Sequence, residues 1–326
     1  MKPAFVTCLV GLLLFGARVA AADPASRLFE LPLPDGKQLP YFVSAPANPG
    51  AVRRILIAIQ GFTRDANRTF DAGYRAAEQV GLVTSTLIVA PIFQVAEPEA
   101  HKCHFRDMPA ATAQDALWHC GDWSDGSPAL NELTITSFGA IDRLVATLLE
   151  SYPNTASVTI AGFSAGGQFV QRYAAFASAP RRQVQIRYVV ADPSSFVYFD
   201  PWRPRRDVAA CPQYDRWKFG TEHLPSWLGR DAAAARATYA AASLTYLEGA
   251  LDTGEGPGTA YALLESDCAA ELQGTYRLDR GQNYAAYDAE NLAHGAHKLV
   301  LLPGCAHSVS CVFPSPAART ALFGGP

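Results

Sequence analysis

Gly162-Phe163-Ser164-Ala165-Gly166 is the stretch of this chain best suited to chemistry. It follows the β-branched run Ser157–Ala161 and opens a helical pattern from Ala165 to Ala174. Strand, G-x-S-x-G and helix together form a nucleophile elbow, a turn so tight that small residues must flank the serine. The turn predicts a Ser164 hydroxyl raised above a sheet edge at a helix N-terminus. A serine hydroxyl is a poor nucleophile near neutral pH. It needs an adjacent base, and the base needs a carboxylate to orient it. His307 lies in Leu302-Pro303-Gly304-Cys305-Ala306-His307-Ser308, just past the last predicted strand. Pro303 and Gly304 end that strand, so a loop histidine there can reach over the elbow. The bland alternative for any lone histidine is a surface or core residue.

The elements that must position these groups alternate along the chain. Apolar runs predict strands over 52–59, 86–90, 157–161, 184–191, 243–248 and 297–302. Helical spacing covers 70–80, 133–152, 165–174 and the alanine-rich 232–242, with a long irregular segment over 93–131. Such alternation implies right-handed crossovers and a mostly parallel central sheet with helices on both faces. Residues 23–326 are expected to form one domain. The segment 193–230, rich in aromatic residues and proline, is a cap-like insertion in this reading, and its Phe196, Tyr198 and Trp202, with Trp123, are candidate substrate-binding residues. Packing anchors are the competing role for these rings, and for Trp118.

On the elbow, on Gln60-Gly61-Phe62 after an early strand, and on an acid and a histidine after later strands, the chain resembles the α/β-hydrolase superfamily over most of 40–313. Within it the likeness is to secreted bacterial serine esterases and polyester-depolymerase-like enzymes. The resemblance implies the chain order serine, acid, histidine. Asp252, in Gly249-Ala250-Leu251-Asp252 after a strand, matches the acid-bearing turn. Asp192 is the main rival, and Asp267 and Asp288 are weaker ones; Glu248 is read as a structural group. The oxyanion of an acyl-transfer intermediate would take the backbone N–H groups of Ala165 and Phe62, with Thr63 next in line. Gln60 stands where relatives commonly place histidine, which leaves the hydrogen bonding of that loop open.

Residues 1–22 read as a signal peptide, with Lys2, an apolar Phe5–Phe15 core and cleavage near Ala22. The apolar run is too short for a stable membrane span, and Cys8 leaves with the leader. Of the 27 basic residues, removal of Lys2 and Arg18 leaves 25 against 30 acidic ones, a net charge of −5. That balance argues against a nucleic-acid partner. Six cysteines remain after export, an even number suited to disulfides. Sequence does not choose among their pairings; the one adopted here is Cys103–Cys120, Cys211–Cys268 and Cys305–Cys311. His101, Cys103, His104, Asp107, His119 and Cys120 could instead hold zinc, which export disfavours. Arg203, Arg205 and Arg206 lie in the presumed cap, where a substrate carboxylate is one partner and solvent the default. Arg181-Arg182 is read as solvated surface.

The resulting expectation is an exported, cofactor-free serine hydrolase of carboxylic esters, on apolar, aromatic or polymeric substrates. No metal is assigned, and no pattern encodes an oligomeric state. A peptidase or amidase with the same three residues, and an inactive binding protein of the same fold, are the alternatives.

Overall fold

The structure is a computed structural model that describes residues 26–46, 48–205 and 207–325. The expected leader, residues 1–22, and Arg206 lie outside the described residues. A hairpin opens the described chain, β1 (Ser26–Pro32) and β2 (Gln38–Ser44). Then come β3 (Arg54–Ile59), α1 (Ala66–Gln79), β4 (Thr86–Pro91) and, after a long loop segment, α2 (Ser137–Ser151). The elbow strand β5 (Ser157–Phe163) leads into α3 (Ala165–Phe176). The rest is β6 (Gln185–Ala191), α4 (Ala232–Ala240), β7 (Leu244–Gly249), α5 (Arg277–Asn291) and β8 (Lys298–Leu302).

These eight strands form one sheet in the order β1-β2-β4-β3-β5-β6-β7-β8. β2 pairs antiparallel with β1 and β4, and every other pairing is parallel. Helices cover both faces, so the central strands are apolar throughout rather than alternating. Ile55, Ile57 and Ile59 of β3 face the layer holding Leu144 of α2 and Phe169 of α3. Leu56 and Ala58 face Phe70 of α1 and the C-terminal Leu322 and Phe323. The elbow strand, at the centre, is buried at all seven positions.

Two stretches depart from expectation. Residues 133–152 split into a short strand, Glu132–Thr136, and α2. β-Branched Thr134, Ile135 and Thr136 favour extended backbone, and the Thr136 hydroxyl then caps the helix by accepting from Gly139 N at 3.0 Å. The β1–β2 hairpin and α5 add to the elements predicted. α5 turns Arg277 and Arg280 inward along with Tyr284 and Tyr287.

Candidate active site

Backbone crowding explains the glycines of the elbow. Ser164 sits at φ 59° and ψ −121°, a conformation costly for any residue with a side chain. A Cβ on Gly162 would lie 1.9 Å from the Gly166 carbonyl oxygen, and one on Gly166 would lie 2.4 Å from that of Ile59. Ser164 N donates to Ala191 O at 2.9 Å, which ties the turn to the end of β6.

His307 stands on the loop after β8, inside the small ring closed by Cys305–Cys311. Its N–H donates to Gly258 O at 2.9 Å, and its imidazole lies 4.6 Å from the Phe163 ring. Asp252 follows β7 in a turn held by Asp252 N to Gly249 O (3.0 Å) and Leu251 N to Cys305 O (2.9 Å). A Cβ on Gly249 would approach the Cys305 carbonyl oxygen at 2.8 Å, so the acid turn and the histidine loop can touch only through glycine.

The three side chains meet. The Ser164 hydroxyl lies 2.9 Å from His307 Nε2, and His307 Nδ1 lies 2.8 Å from Asp252 Oδ2. Burial lowers the His307 pKa below its ordinary value, against the raising effect of the Asp252 hydrogen bond. A neutral imidazole with its proton on Nδ1 donates to Asp252 and offers Nε2 to the serine. The other Asp252 oxygen lies 3.6 Å from Arg277 Nη1.

Asp192 and Glu248 lie behind the acid, both fully buried. Gly249 N donates to Asp192 Oδ1 at 2.7 Å, whereas Asp192 Oδ2 and both Glu248 oxygens have no donor. Burial, then the Asp252 charge, pushes Asp192 up to about 7. Burial and the neighbouring Asp192 push Glu248 well above the usual carboxylate range. A hydrogen carried between these two carboxyls supplies the donor that the pair otherwise lacks. Asp192, Asp252 and His307 present ligand-type atoms within 4.8 Å of one another, the group of that kind found among the described residues. The hydrogen-bond chain through Asp252 and His307 accounts for this cluster.

Phe62 and Ala165 flank Ser164, and their N–H groups donate to no protein acceptor. Ala165 is the first residue of α3, so its N–H sits at the positive end of the helix dipole. The Phe62 loop is pinned by Gly61 N to Asp65 Oδ1 (2.8 Å) and Arg64 N to Gly61 O (3.0 Å). Gln60 reaches away instead, its Nε2 donating to Phe93 O at 3.3 Å.

The aromatic residues expected to bind substrate are placed elsewhere. Trp123, Phe196 and Tyr198 are fully buried, and none lines a cavity at Ser164. Trp123 stacks on Phe93, Phe196 on Tyr284, and Trp202 lies on Tyr287. They anchor loops, as does buried Trp118. Arg203 is likewise spent: it pairs with Asp215 at 2.9 Å between the Tyr198 and Tyr214 rings. From the 193–230 segment, Ser194 and Lys218 reach the cavity beside Ser164. Asp288 pairs with His297 at 2.6 Å and lines neither cavity at the serine, and Asp267 precedes a short helix at Cys268. All three expected disulfides form. Cys103 and Cys120 are therefore unavailable to zinc, and His119 pairs with Glu99 at 2.7 Å.

Two cavities, of about 190 and 210 Å³, meet at Phe62, Ser164 and Leu263. The larger includes His307 and Asp65; the smaller includes Gln168, Lys218 and Glu265. Lys218, Glu265 and Arg277 carry no sequence signal of their own, because each stands in a stretch without motif or clear periodicity. A still larger cavity of about 770 Å³, against α2 and Arg181-Arg182, shares no residue with this site.

No family profile and no curated protein matches the chain. Solved structures do. Poly(aspartic acid) hydrolase-1 from Sphingomonas sp. KT-1 superposes with a TM-score of 0.64 at 22% identity, covering 92% of this chain and 99% of that one. LpqC, a poly(3-hydroxybutyrate) depolymerase from Bordetella parapertussis, gives 0.64 at 18% identity, covering 92% and 91%. This chain has the α/β-hydrolase fold. The eight-stranded order, with parallel central strands and helices on both faces, is how that fold appears here. Among the described residues no helix is long and apolar enough to cross a membrane.

Proposed function

We propose that the protein is an exported serine hydrolase that cleaves carboxylic esters through an acyl-enzyme. The observation that carries this is the unbroken chain Ser164–His307–Asp252, with contacts of 2.9 and 2.8 Å. His307 Nε2 takes the Ser164 proton as Oγ attacks the ester carbonyl. Asp252 holds the imidazole in the tautomer that leaves Nε2 free, then stabilises the imidazolium. The N–H groups of Ala165 and Phe62 bind the oxyanion, each worth about 3 kcal/mol in the transition state. His307 returns the proton to the leaving alcohol, and water, activated the same way, releases the acid. These groups complete the reaction without a cofactor.

Polymeric esters are the favoured substrates. Two cavities meeting at the serine suit a chain that continues on both sides of the cut bond. The two structural neighbours named above are polymer hydrolases. Three disulfides and the leader pattern of residues 1–22 support export. The test is a fluorophosphonate probe with p-nitrophenyl esters and matched p-nitroanilides. Labelling lost in Ser164→Ala, with ester turnover far above anilide turnover, is the expected result. Turnover that survives Ser164→Ala overturns the mechanism; anilides cleaved as fast as esters make the protein an amidase.

A further inference from the structure

We propose that Lys218 selects substrates whose acyl group ends in a carboxylate, an inference that rests on the ester-hydrolase reading above. His307 must protonate the leaving alcohol, so the alcohol side belongs to the cavity that contains His307. The acyl side then falls in the cavity that holds Lys218, Glu265, Gln168, Ser194 and Ser124.

That cavity carries a built cationic group. Lys218 Nζ contacts Glu265 Oε1 at 2.6 Å. The other oxygen, Oε2, accepts from Ser195 Oγ at 2.8 Å and Gln168 Nε2 at 3.0 Å, so the Glu265 carboxylate is fixed in place. An ammonium has three N–H donors, and Glu265 uses one. The Lys218 side chain remains 28% exposed, against 14% for Glu265, so its remaining donors belong to the cavity.

Further charged groups hold Glu265 in place. Beneath Glu265 lies Arg172, fully buried, whose Nη2 donates to Ser195 Oγ at 3.2 Å. Arg280 Nη1 donates to the Glu265 backbone carbonyl at 2.9 Å. Lys218, Arg172 and Arg280 surround Glu265, with Asp267 against the Glu265 carboxylate and Asp125 near Arg172 and Lys218. An apolar acyl chain would strip water from the ammonium and return nothing. A terminal carboxylate would accept its free N–H bonds, a charge-assisted contact. This departs from the apolar or aromatic substrates expected from sequence.

The test compares mono-p-nitrophenyl succinate with p-nitrophenyl butyrate, which share acyl length and leaving group. The purified protein should prefer the succinate, and Lys218→Met should lower the succinate-to-butyrate ratio of kcat/KM by about 10- to 100-fold. Lys218→Arg should restore most of it. In the unsubstituted protein free succinate should inhibit butyrate turnover competitively, and rising salt should erode the preference, so a poorly folding variant does not end the test. Butyrate favoured over succinate, a ratio unmoved in Lys218→Met, or no inhibition by succinate overturns the assignment. If neither ester is turned over, the ester-hydrolase reading itself fails.

Discussion

Asp252→Asn tests the catalytic geometry more sharply than removal of the serine. An asparagine offers one carbonyl oxygen and one NH2 in place of two equivalent oxygens. Arg277 Nη1, 3.6 Å from Oδ1, only donates, so the amide oxygen turns toward it. The NH2 then faces His307 Nδ1, where Oδ2 lay at 2.8 Å. Nδ1 becomes an acceptor, the proton moves to Nε2, and His307 can no longer take the serine proton. A wrong tautomer of this kind costs about 10⁴ in kcat, or roughly 5 kcal/mol. Asp192 modifies the outcome. Apart from the hydrogen it shares with Glu248, its Oδ2 has no partner, and its ligand atoms lie within 4.8 Å of those of Asp252 and His307. Loss of the Asp252 charge removes the second cause that holds Asp192 at about 7, so ionisation becomes easier. An ionised Asp192 at that range stabilises the imidazolium by about 3 kcal/mol at an effective dielectric near 20, or roughly two decades of rate. Activity of Asp252→Asn relative to the unsubstituted protein should therefore rise with pH from about 10⁻⁴ toward about 10⁻². The double variant Asp192→Asn/Asp252→Asn should stay low and flat. Ester turnover measured between pH 5 and about 9 decides it. Single-variant activity within tenfold of the parent removes Asp252 from its role, and a double variant that tracks the single removes Asp192.

Further outcomes follow from the same geometry. Because burial lowers the His307 pKa, kcat/KM should climb with pH along a limb centred below 6.5 and level off above it; a midpoint above 6.5 contradicts the neutral resting imidazole. Gly162→Ala places a methyl 1.9 Å from a backbone oxygen. It should cost more than about 3 kcal/mol by denaturant melts and abolish probe labelling; a stable, labelled variant refutes the packing of the elbow. Replacing Cys305 and Cys311 by serine opens a separation of 6 residues, against 57 for Cys211–Cys268. The chain-entropy argument gives losses of about 2 and 4 kcal/mol, yet the smaller loss should cause the larger fall in kcat, since His307 sits inside that ring. Equal or reversed effects on kcat would separate the ring from catalysis.

The meeting of Ser164 and His307 was legible because their positions depend on the backbone. Gly162 and Gly166 exist to let carbonyls approach, and Pro303 and Gly304 mark where β8 stops, so serine and histidine could be placed by punctuation alone. Asp252 needed the chain order of a family, since Asp192 also ends a strand and lies in the same cluster. The substrate pocket was not legible. Trp123, Phe196 and Tyr198 are as aromatic inside a loop anchor as they would be on a cleft wall, and no periodicity in an irregular segment says which way they turn. α5 was hidden for a related reason: Arg277 and Arg280 occupy buried positions, so charges interrupt the apolar rhythm that marks a helix face. Lys218 gave no signal, because its meaning comes entirely from Glu265, 47 residues along the sequence and 2.6 Å away in space.

Beyond Phe62, Ser164, Ala165 and Gln168, the walls of the smaller cavity come from three separate excursions of the chain: Gly121 and Ser124, Ser194 and Lys218, and Leu263 and Glu265. Two crosslinks, Cys103–Cys120 and Cys211–Cys268, moor those excursions, while Ser164, Asp252 and His307 hang from strand ends. The outer wall and the elbow are thereby built as separable parts. Lineages, or engineers, can redraw that outer wall by editing moored loops while the strand ends that carry Ser164, Asp252 and His307 stay as they are.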